Sequence, residues 1–331
     1  MTHPVNPHRR AALATLGAGT TGLFWPALIH AQTPAWPSKA IRLVVPFAPG
    51  GSSEIVARST AVELSKLLGQ AVFVDNKPGA GGNIGAADVA RAQPDGYTFL
   101  MASPPLTISP ALYTSLPYKP EQIVPVGLLG RVPNVLLVNP KSGLNSVSDV
   151  IASAKQRPGK MNYASNGNGT SLHLSAELFK SNTGTFITHI PYRGAAAAVT
   201  GLIAGEIDMM FENLPSVLGQ IQGGTVKALA VTTRQRSKTL PSTPTLTEAG
   251  VKDFDVSSFY GIAAPAGTPA DVIARMEVAL QKVLKMADVS QAMESRGADV
   301  GFLNASIMGA FMAADAAKWK RVANFAKITL G

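Results

Sequence analysis

The sequence contains no cysteine, which excludes disulfide bonds, thiolate nucleophiles and the zinc and iron–sulfur sites that cysteines hold. Histidine is also scarce: the chain has five, and two of them, His3 and His8, fall within the first ten positions. Neither His173 nor His189 belongs to a His-x-x-x-His or His-Glu motif of the kind that binds metals. We therefore predict no metal site.

Aromatic residues make up 6% of the sequence and charged residues 15%, whereas 46% of it is hydrophobic. A chain of 331 residues with this composition is expected to bury a core in one or two domains. The formal charge of +9 is scattered, without a run of five or more basic residues. Because nucleic-acid-binding surfaces cluster Lys and Arg, we predict no nucleic-acid partner; the mild positive charge would suit a small anionic ligand.

The first 31 residues have the pattern of an export signal. Arg9 and Arg10 precede an apolar stretch at 11–29, and the small residue Ala31 precedes a predicted cleavage point. The arginine pair partly matches a twin-arginine signal. We predict that residues 1–31 are a signal peptide and that the mature protein is periplasmic. The alternative, a permanent N-terminal membrane anchor, is disfavoured because glycines and a proline interrupt the short apolar stretch.

Downstream of residue 40, short apolar runs alternate with patterns of helical spacing. Strands are predicted at 41–47, 71–74 and 97–101, with helices between them, which indicates a parallel, doubly wound sheet. A second set follows. Its strands are predicted at 135–138, 161–165, 186–191, 207–211 and 226–231, and its helices at 147–155, 172–180 and 195–204. The chain is predicted to be irregular at 234–249 and helical after Pro265, so the sequence predicts an α/β protein with two lobes.

Three glycine-rich loops stand where a predicted strand leads into a predicted helix, at 48–53, 79–83 and 166–171. Ligands of open α/β sheets bind at the carboxyl ends of strands, and glycine lets a ligand approach the backbone closely. The helix that follows presents unpaired N–H groups and the positive end of its dipole, which favour an anion. The alternative is that these glycines only form tight turns.

Other kinds of site fit the sequence less well. The glycines at 79–85 resemble a dinucleotide fingerprint, but the third one falls one position late and no Walker Lys-Ser/Thr follows. A Gly-x-Ser-x-Gly nucleophile motif is absent. We therefore predict no cofactor. Asp208 and Glu212 flank a predicted strand, and for Asp208 a helix cap or a surface ion pair is the favoured interpretation.

Several stretches of the sequence resemble one known family. They include KPGAGGN at 77–83, SNGNGT at 165–170 and HIPYRG at 189–194, and they extend in order over residues 35–330. The remaining stretches lie at 37–51, 94–98, 229–232, 240–250 and 264–269. On these residues the chain resembles the Bug family, the solute-binding proteins of tripartite tricarboxylate transporters.

The resemblance implies a two-lobed, type II-like periplasmic-binding-protein fold with the ligand in a cleft between the lobes. Lobe 1 would comprise residues 34–136 and 258–331, and lobe 2 would comprise residues 137–257. Members of the family typically hold small carboxylates through backbone groups and bridging waters. The lobe 1 contacts implied by position are Phe47, Ala48, Gly50, Gly51, Ser52, Ala80 and Gly81. The lobe 2 contacts implied are Asn166, Gly167, Gly169, Thr170, Ser171 and His173, with Tyr192 and Arg193 on the wall beside the hinge.

Two departures from the family pattern concern the ligand. Glu54 stands where the family usually has Asp; it could meet a ligand ammonium group, although the dipole of its own helix also explains it. The segment 103–110, which begins with Ser103 and helps to shape the distal end of the ligand, has Ser109 in place of the usual Asn. His173 could donate to a ligand or have only a structural role.

The predicted function is capture of a small organic acid by closure of the lobes, followed by delivery to membrane transporter subunits. A sensor ectodomain is an alternative partner, for a receptor component without its own transporter. A secreted hydrolase or lyase on the same fold is another alternative, but it would need a nucleophile and a base that the sequence does not supply. We predict a monomer that is not an enzyme.

Overall fold

Strands and helices alternate along the chain in the computed structural model, which describes Met1 and residues 36–330. The predicted signal peptide, apart from Met1, lies outside the described residues. The strands are β1 (Ile41–Val45), β2 (Val72–Asn76), β3 (Thr98–Ala102), β4 (Ile123–Val138), β5 (Asn162–Ser165), β6 (Thr188–Pro191), β7 (Met209–Asn213), β8 (Lys227–Val231), β9 (Ser257–Pro265) and β10 (Asp299–Asn304). The helices are α1 (Ser52–Leu68), α2 (Asn83–Ala90), α3 (Pro105–Leu112), α4 (Val147–Gln156), α5 (Ser171–Thr183), α6 (Ala195–Ala204), α7 (Leu214–Gln222), α8 (Ala270–Leu284), α9 (Ala287–Glu294) and α10 (Ala305–Ala326).

The strands pair in the order β2-β1-β3-β9-β4-β7-β5-β6, and β8 and β10 also pair with β4. The strand order in the first half of the structure is β2-β1-β3-β9-β4. The second half has the corresponding order β6-β5-β7-β4-β8, and β4 belongs to both halves. In both halves the first three strands are parallel, as the sequence predicts. The strand that follows them runs antiparallel in each half.

The long strand β4 joins the two halves. Its residues up to Pro133 pair with β9, and its residues from Asn134 onward pair with β7 and β8. The chain returns between the halves beside this point, where the N–H of Thr232 donates to the carbonyl of Asn134 at 3.0 Å. The N–H of Val256 in turn donates to the carbonyl of Thr232 at 2.9 Å. The two crossing segments are therefore hydrogen-bonded to each other.

Buried apolar side chains form separate cores on the sheet faces of the two halves. In the first half Leu43 and Phe99 pack with Met276 of α8, which the spacing of apolar residues in this helix predicts. In the second half the core also receives Ile108 from α3 and Trp319 from α10. The two helices thus attach chain segments before residue 137 and after residue 257 to the core of the second half.

Several elements differ from the sequence-based expectation. The segment after Pro265 is not helical throughout, because β10 interrupts it and pairs with β4. Helices α3 and α7, strand β9 and the first part of β4 were not predicted; both helices contain a proline, and β4 contains Pro125 and Pro133. The irregular segment at 234–249 is confirmed as lacking helix and strand. No helix of residues 36–330 has the length and hydrophobicity needed to span a membrane.

Candidate ligand-binding site

A cavity lies between the two halves, at the carboxyl ends of their parallel strands. A water-sized probe can occupy about 30 Å³ of it, and its empty space, counted with the part that opens to solvent, is about 460 Å³. The residues that line it are Phe47, Ala48, Gly51, Ser52, Ser53, Ser103, Pro104, Pro105, Asn166, Thr170, Ser171, Leu172, Gly194, Ala195, Asn213, Ser258 and Tyr260. This lining contains hydroxyl, amide and main-chain groups but neither Lys nor Arg.

Helix α1 of the first half begins at this cavity. Its N-cap residue, Gly51, provides no side chain to bond the first N–H groups of the helix. Glu54 and Ile55 donate their N–H groups to the carbonyl of Gly51. Ser52 and Ser53, the first two residues of the helix, lie at the cavity wall. The unpaired donors and the dipole of this helix favour an anion.

Helix α5 of the second half begins at the opposite wall. The hydroxyl of its N-cap residue, Thr170, accepts from the N–H of His173 and donates to the carbonyl of Gly167 at 2.9 Å. Gly167 and Gly169 have φ angles of 125° and 74°, which side-chain-bearing residues rarely adopt. The loop is therefore held in one conformation, with Ser171 and Leu172 at the cavity.

The two halves touch each other around the cavity. The hydroxyls of Ser52 and Ser216 lie 2.6 Å apart. A Cβ atom on Gly81, whose φ is 63°, would lie 2.1 Å from the carbonyl oxygen of Asn168 in the other half. Because no side chain fits between these two backbones, Gly81 permits the halves to close against each other.

The structure brings part of the predicted site to the cavity wall and places the rest outside the lining. The predicted residues that line the cavity are Phe47, Ala48, Gly51, Ser52, Ser103, Asn166, Thr170 and Ser171. Those that lie outside the lining are Gly50, Glu54, Ala80, Gly81, Gly167, Gly169, His173, Tyr192 and Arg193. Most of the second group belong to the same loops as the first.

Glu54 faces its own loop instead of the cavity. Its carboxylate accepts from the N–H of Gly50 at 2.6 Å and pairs with Arg58 one helical turn later, also at 2.6 Å. These contacts hold the first glycine-rich loop against the start of α1. The structure therefore gives Glu54 a bracing position, and its interaction with a ligand ammonium group stays a prediction.

His173 also supports a loop from behind. Its Nδ1 accepts from the N–H of Gly169, and its ring stacks on that of His189 with the centroids 4.3 Å apart. Burial lowers the pKa of His173 to about 4 and the pKa of His189 to about 3. Both rings are therefore neutral near pH 7, which lets Nδ1 of His173 act as an acceptor.

Tyr192 and Arg193 lie on the second half next to the cavity without lining it. Arg193 is exposed, while the two residues that follow it, Gly194 and Ala195, form part of the wall. A Cβ atom on Gly194 would lie 3.1 Å from the Cβ of Ala48 in the first half. This stretch thus approaches the first half through small residues.

Sequence reasoning missed a fourth strand-to-helix turn. Strand β7 ends at Asn213, which lines the cavity, and α7 begins at the next residue. This turn has no glycine, the signal that found the other loops, but Asn213 and Pro215 mark the start of a helix and could have predicted it. Ser258 and Tyr260 were missed because the strand that carries them, β9, was not predicted.

Glu212 lies directly behind this turn and is fully buried. Its Oε1 accepts from the N–H of Asn213 at 2.8 Å and from the amide of Asn166 at 3.4 Å. Burial raises the pKa of Glu212 to about 7, and burial together with the nearby charge of Glu212 raises the pKa of Tyr260. Asp208, at the other end of the strand, accepts from the N–H of Asn162 and is a structural residue.

The remaining polar groups do not form a metal site. Within the part of the chain that the structure describes, no three His, Asp or Glu side chains converge on one point where an ion could bind. The cavity lining likewise contains no histidine and no carboxylate. The chemistry that the lining offers is hydrogen bonding through hydroxyl, amide and main-chain groups.

Comparison with known proteins agrees with this geometry. Residues 56–328 match the family described as "Tripartite tricarboxylate transporter family receptor". The chain belongs to this family. It is 37% identical to Protein BugT of Bordetella pertussis over 321 residues, which cover 96% of this chain and 97% of the relative. The predicted resemblance to Bug proteins is thus confirmed, and so is the prediction of a binding protein instead of an enzyme.

Two solved structures are similar over nearly their whole length. Rpa4515 of Rhodopseudomonas palustris, solved with adipate, has a TM-score of 0.86 and 35% identity and covers 89% of this chain and 99% of its own. MatC of the same species, solved with malate, has a TM-score of 0.82 and 29% identity and covers 86% of this chain and 99% of its own. The predicted two-lobed periplasmic-binding-protein fold is therefore confirmed.

Replacement of Glu212 by Gln is expected to change how stability depends on pH. The pKa of Glu212 rises from 4.5 to about 7 on folding, so the folded state binds its proton more tightly. The wild-type protein therefore loses stability as the pH rises from about 5 to 8, by about 3 kcal/mol from this group. Urea unfolding at pH 5 and pH 8 should show that E212Q lacks this loss. The exposed Glu121→Gln serves as the control, and parallel pH curves for E212Q and wild type would contradict the assignment.

Replacement of His173 by Asn is expected to change how stability depends on pH at acidic pH. The pKa of His173 falls from 6.5 to about 4 on folding, so the unfolded state takes up the proton first as the pH falls. Because of this group, the wild-type protein loses stability as the pH falls from 6.5 to 4. Asparagine can accept from the N–H of Gly169 but does not titrate. Urea unfolding at pH 7, 5.5 and 4.5 should therefore show that H173N loses less stability than the wild type as the pH falls. An equal or steeper loss would show that His173 is not buried in its neutral form.

Proposed function

We propose that this protein captures a small carboxylate-bearing ligand between its two halves by closure and delivers it to a tripartite tricarboxylate-type transporter. The observation that carries this proposal is the meeting of two helix N-termini, of α1 and α5, at one cavity without Lys or Arg. A carboxylate bound there would accept from main-chain N–H groups and from the hydroxyl of Ser52, because the hydroxyl of Thr170 already donates to the carbonyl of Gly167.

Closure follows from the fact that the two helices belong to different halves. In an open form only one N-terminus could contact the ligand, whereas in the closed form both do. The ligand therefore binds the closed form more tightly and shifts the protein toward it. Hinge motion would occur where the chain crosses between the halves, at Pro133 to Asn134 of β4 and at Val256 to Ser257 before β9, with residues 34–136 and 258–331 as one lobe and 137–257 as the other.

The class of ligand is supported by the relatives as well as by the cavity. The structure of Rpa4515 contains adipate and that of MatC contains malate, and both compounds are dicarboxylates. The formal charge of +9, which becomes +7 without Arg9 and Arg10 of the predicted signal peptide, also favours the approach of an anion. A small organic acid is therefore the ligand that we propose for this chain.

The export signal predicted at residues 1–31, with its arginine pair, supports a periplasmic location for the mature protein. We propose that it acts there as a monomer, because the cavity is complete within one chain. Its partner is then the membrane subunits of the transporter. Delivery to a sensor ectodomain would use the same closed form and differ only in the partner.

Ligand binding can be measured by thermal stability and calorimetry with a panel of mono-, di- and tricarboxylates and aromatic acids. An acid present at about 100 times its dissociation constant should stabilise the protein by about 2.7 kcal/mol. The uncharged amides of the same acids are the control and should have no effect, because they lack the anion that the helix N-termini favour. Absence of stabilisation by every acid of the panel would refute the proposal.

Replacement of Gly81 by Ala should weaken binding by preventing closure. The new methyl group would lie 2.1 Å from the carbonyl oxygen of Asn168 in the closed form. Gly184→Ala is a matched control. The φ angle of Gly184 is 62°, close to the 63° of Gly81, but a Cβ atom at Gly184 would meet no atom within 4 Å. Both variants should lose about 1 kcal/mol of stability.

Only G81A should lose affinity, by about tenfold or more, since a contact this short cannot be relieved without separating the halves. Small-angle X-ray scattering with a saturating acid should then show G81A as more extended than G184A. Equal affinities of the two variants would mean that the contact between Gly81 and Asn168 is not part of the ligand-bound form.

A further inference from the structure

Helix α10 connects the two halves away from the ligand cavity, whose lining contains none of its residues. Near the start of the helix, Met308 is buried in a core of the first half that also contains Val44 and Leu100. Further along the helix, Trp319 is buried in the core of the second half, which contains Phe179. At 1.5 Å per residue, these two anchors are about 16 Å apart along the helix axis. The two ends of one helix are thus held by different halves.

Helix α3 and the last described residues pack on the same side of this connection as Trp319. Ile108 and Leu112 of α3 are buried in the core of the second half, although α3 follows β3 of the first half in the sequence. The hydroxyl of Thr107 donates to Asp315 of α10 at 2.6 Å. The N–H of Leu330 donates to the carbonyl of Leu112 at 2.9 Å. These segments therefore form one packed unit with the second half.

The part of α10 between the anchors lies beside the place where the chain crosses between the halves. Lys318 donates to the carbonyl of Asp255 at 2.6 Å, directly before the crossing at Val256 to Ser257. On the other crossing strand, β4, the guanidinium carbon of Arg131 lies 4.6 Å from the centre of the Phe311 ring. A rotation displaces atoms least when they lie near its axis. Hinge motion at the crossing would therefore displace this part of α10 only slightly.

Detachment of α10 from either core is a less favourable way to accommodate the motion. Met308 is 0% exposed and Trp319 is 1% exposed, and withdrawal of such a side chain leaves a cavity in the core. A helix can instead curve through small changes in the lengths of its hydrogen bonds. The exposed face between the anchors carries Ala313, Ala314 and Ala317, whose small side chains do not obstruct a change of curvature.

We propose that α10 is a third connection between the halves that bends when they close, and that α3 and residues 319–330 move with the second half. This inference rests on the closure proposed above and refines its division into lobes. By position in the sequence, both segments would belong to the lobe of residues 34–136 and 258–331. Because α10 has an anchor in each core, the halves can separate only as far as this helix can curve. The helix therefore limits how far the protein opens.

Distances between pairs of spin labels test which half the end of α10 follows. The chain has no cysteine, so pairs of labelled cysteines can be introduced at exposed positions: Val62→Cys in α1, Ala152→Cys in α4 and Asn324→Cys in α10. Pulsed electron paramagnetic resonance would be recorded on the free protein and with the acid of the carboxylate panel that stabilises it most. The pair at 62 and 152 reports closure itself. We expect the distance between 62 and 324 to change together with it by several ångströms, while the distance between 152 and 324 stays constant.

The opposite pattern would overturn the inference. A constant distance between 62 and 324 with a changing distance between 152 and 324 would place the end of α10 in the first lobe and leave the proposed function standing. A distance between 62 and 152 that is narrowly distributed in the free protein and unchanged with the acid would show that the halves do not move. That result would overturn both the proposed closure and this inference.

Ala314→Gly tests whether α10 limits opening. Glycine makes this helix easier to bend, so the free protein should open further and the mean distance between labels at 62 and 152 should increase. Ala274→Gly is the matched control, because Ala274 is also exposed in a helix, α8, but lies within the first half. It should lose a similar amount of stability and leave the distance unchanged. Equal distances in A314G and A274G would show that α10 does not restrain the halves.

Discussion

The arrangement of this protein depends on two helix N-termini from opposite halves that meet at one cavity. Each carries N–H groups without helical partners and a partial positive charge, so the two ends repel each other unless something negative lies between them. Helix α5 is capped by Thr170, whereas α1 has no side-chain cap. An anion in the cavity would interact with both ends at once. Under the proposed function, capture of the ligand and closure are therefore the same event.

The site is physically connected to the crossing between the halves. Asn134 is fully buried at the crossing point of β4, where its side chain bonds to Ser175 of α5 and to Ser258 of β9. Ser258 also lies 2.8 Å from Ser171, the first residue of α5. The start of α5 is thus held by the strands about which the halves would move. Motion at the crossing would displace one wall of the cavity relative to the other.

Local patterns in the sequence identified the loops correctly because strand-to-helix turns with glycine have a fixed place at the edge of a parallel sheet. They did not identify β9 or the first part of β4, since prolines and glycines interrupt those strands and their pairing is long-range. Nor could they distinguish Glu54 from Glu212. Both acids stand beside a helix start, but Glu54 pairs with Arg58, and Glu212 is enclosed by residues far away in the sequence. Burial of that kind depends on tertiary packing.

Two kinds of group line the cavity, and substitutions alter them differently. The starts of α1 and α5 present main-chain N–H groups, which every residue except proline provides, so changes of side chain leave them largely intact. Asn166 and Asn213 line the same cavity with side chains, whose donors and acceptors change with each substitution. Under the proposed function, binding of a carboxylate can therefore persist while the identity of the ligand changes. Selectivity would then reside in side chains that become adjacent to the cavity only through the tertiary structure.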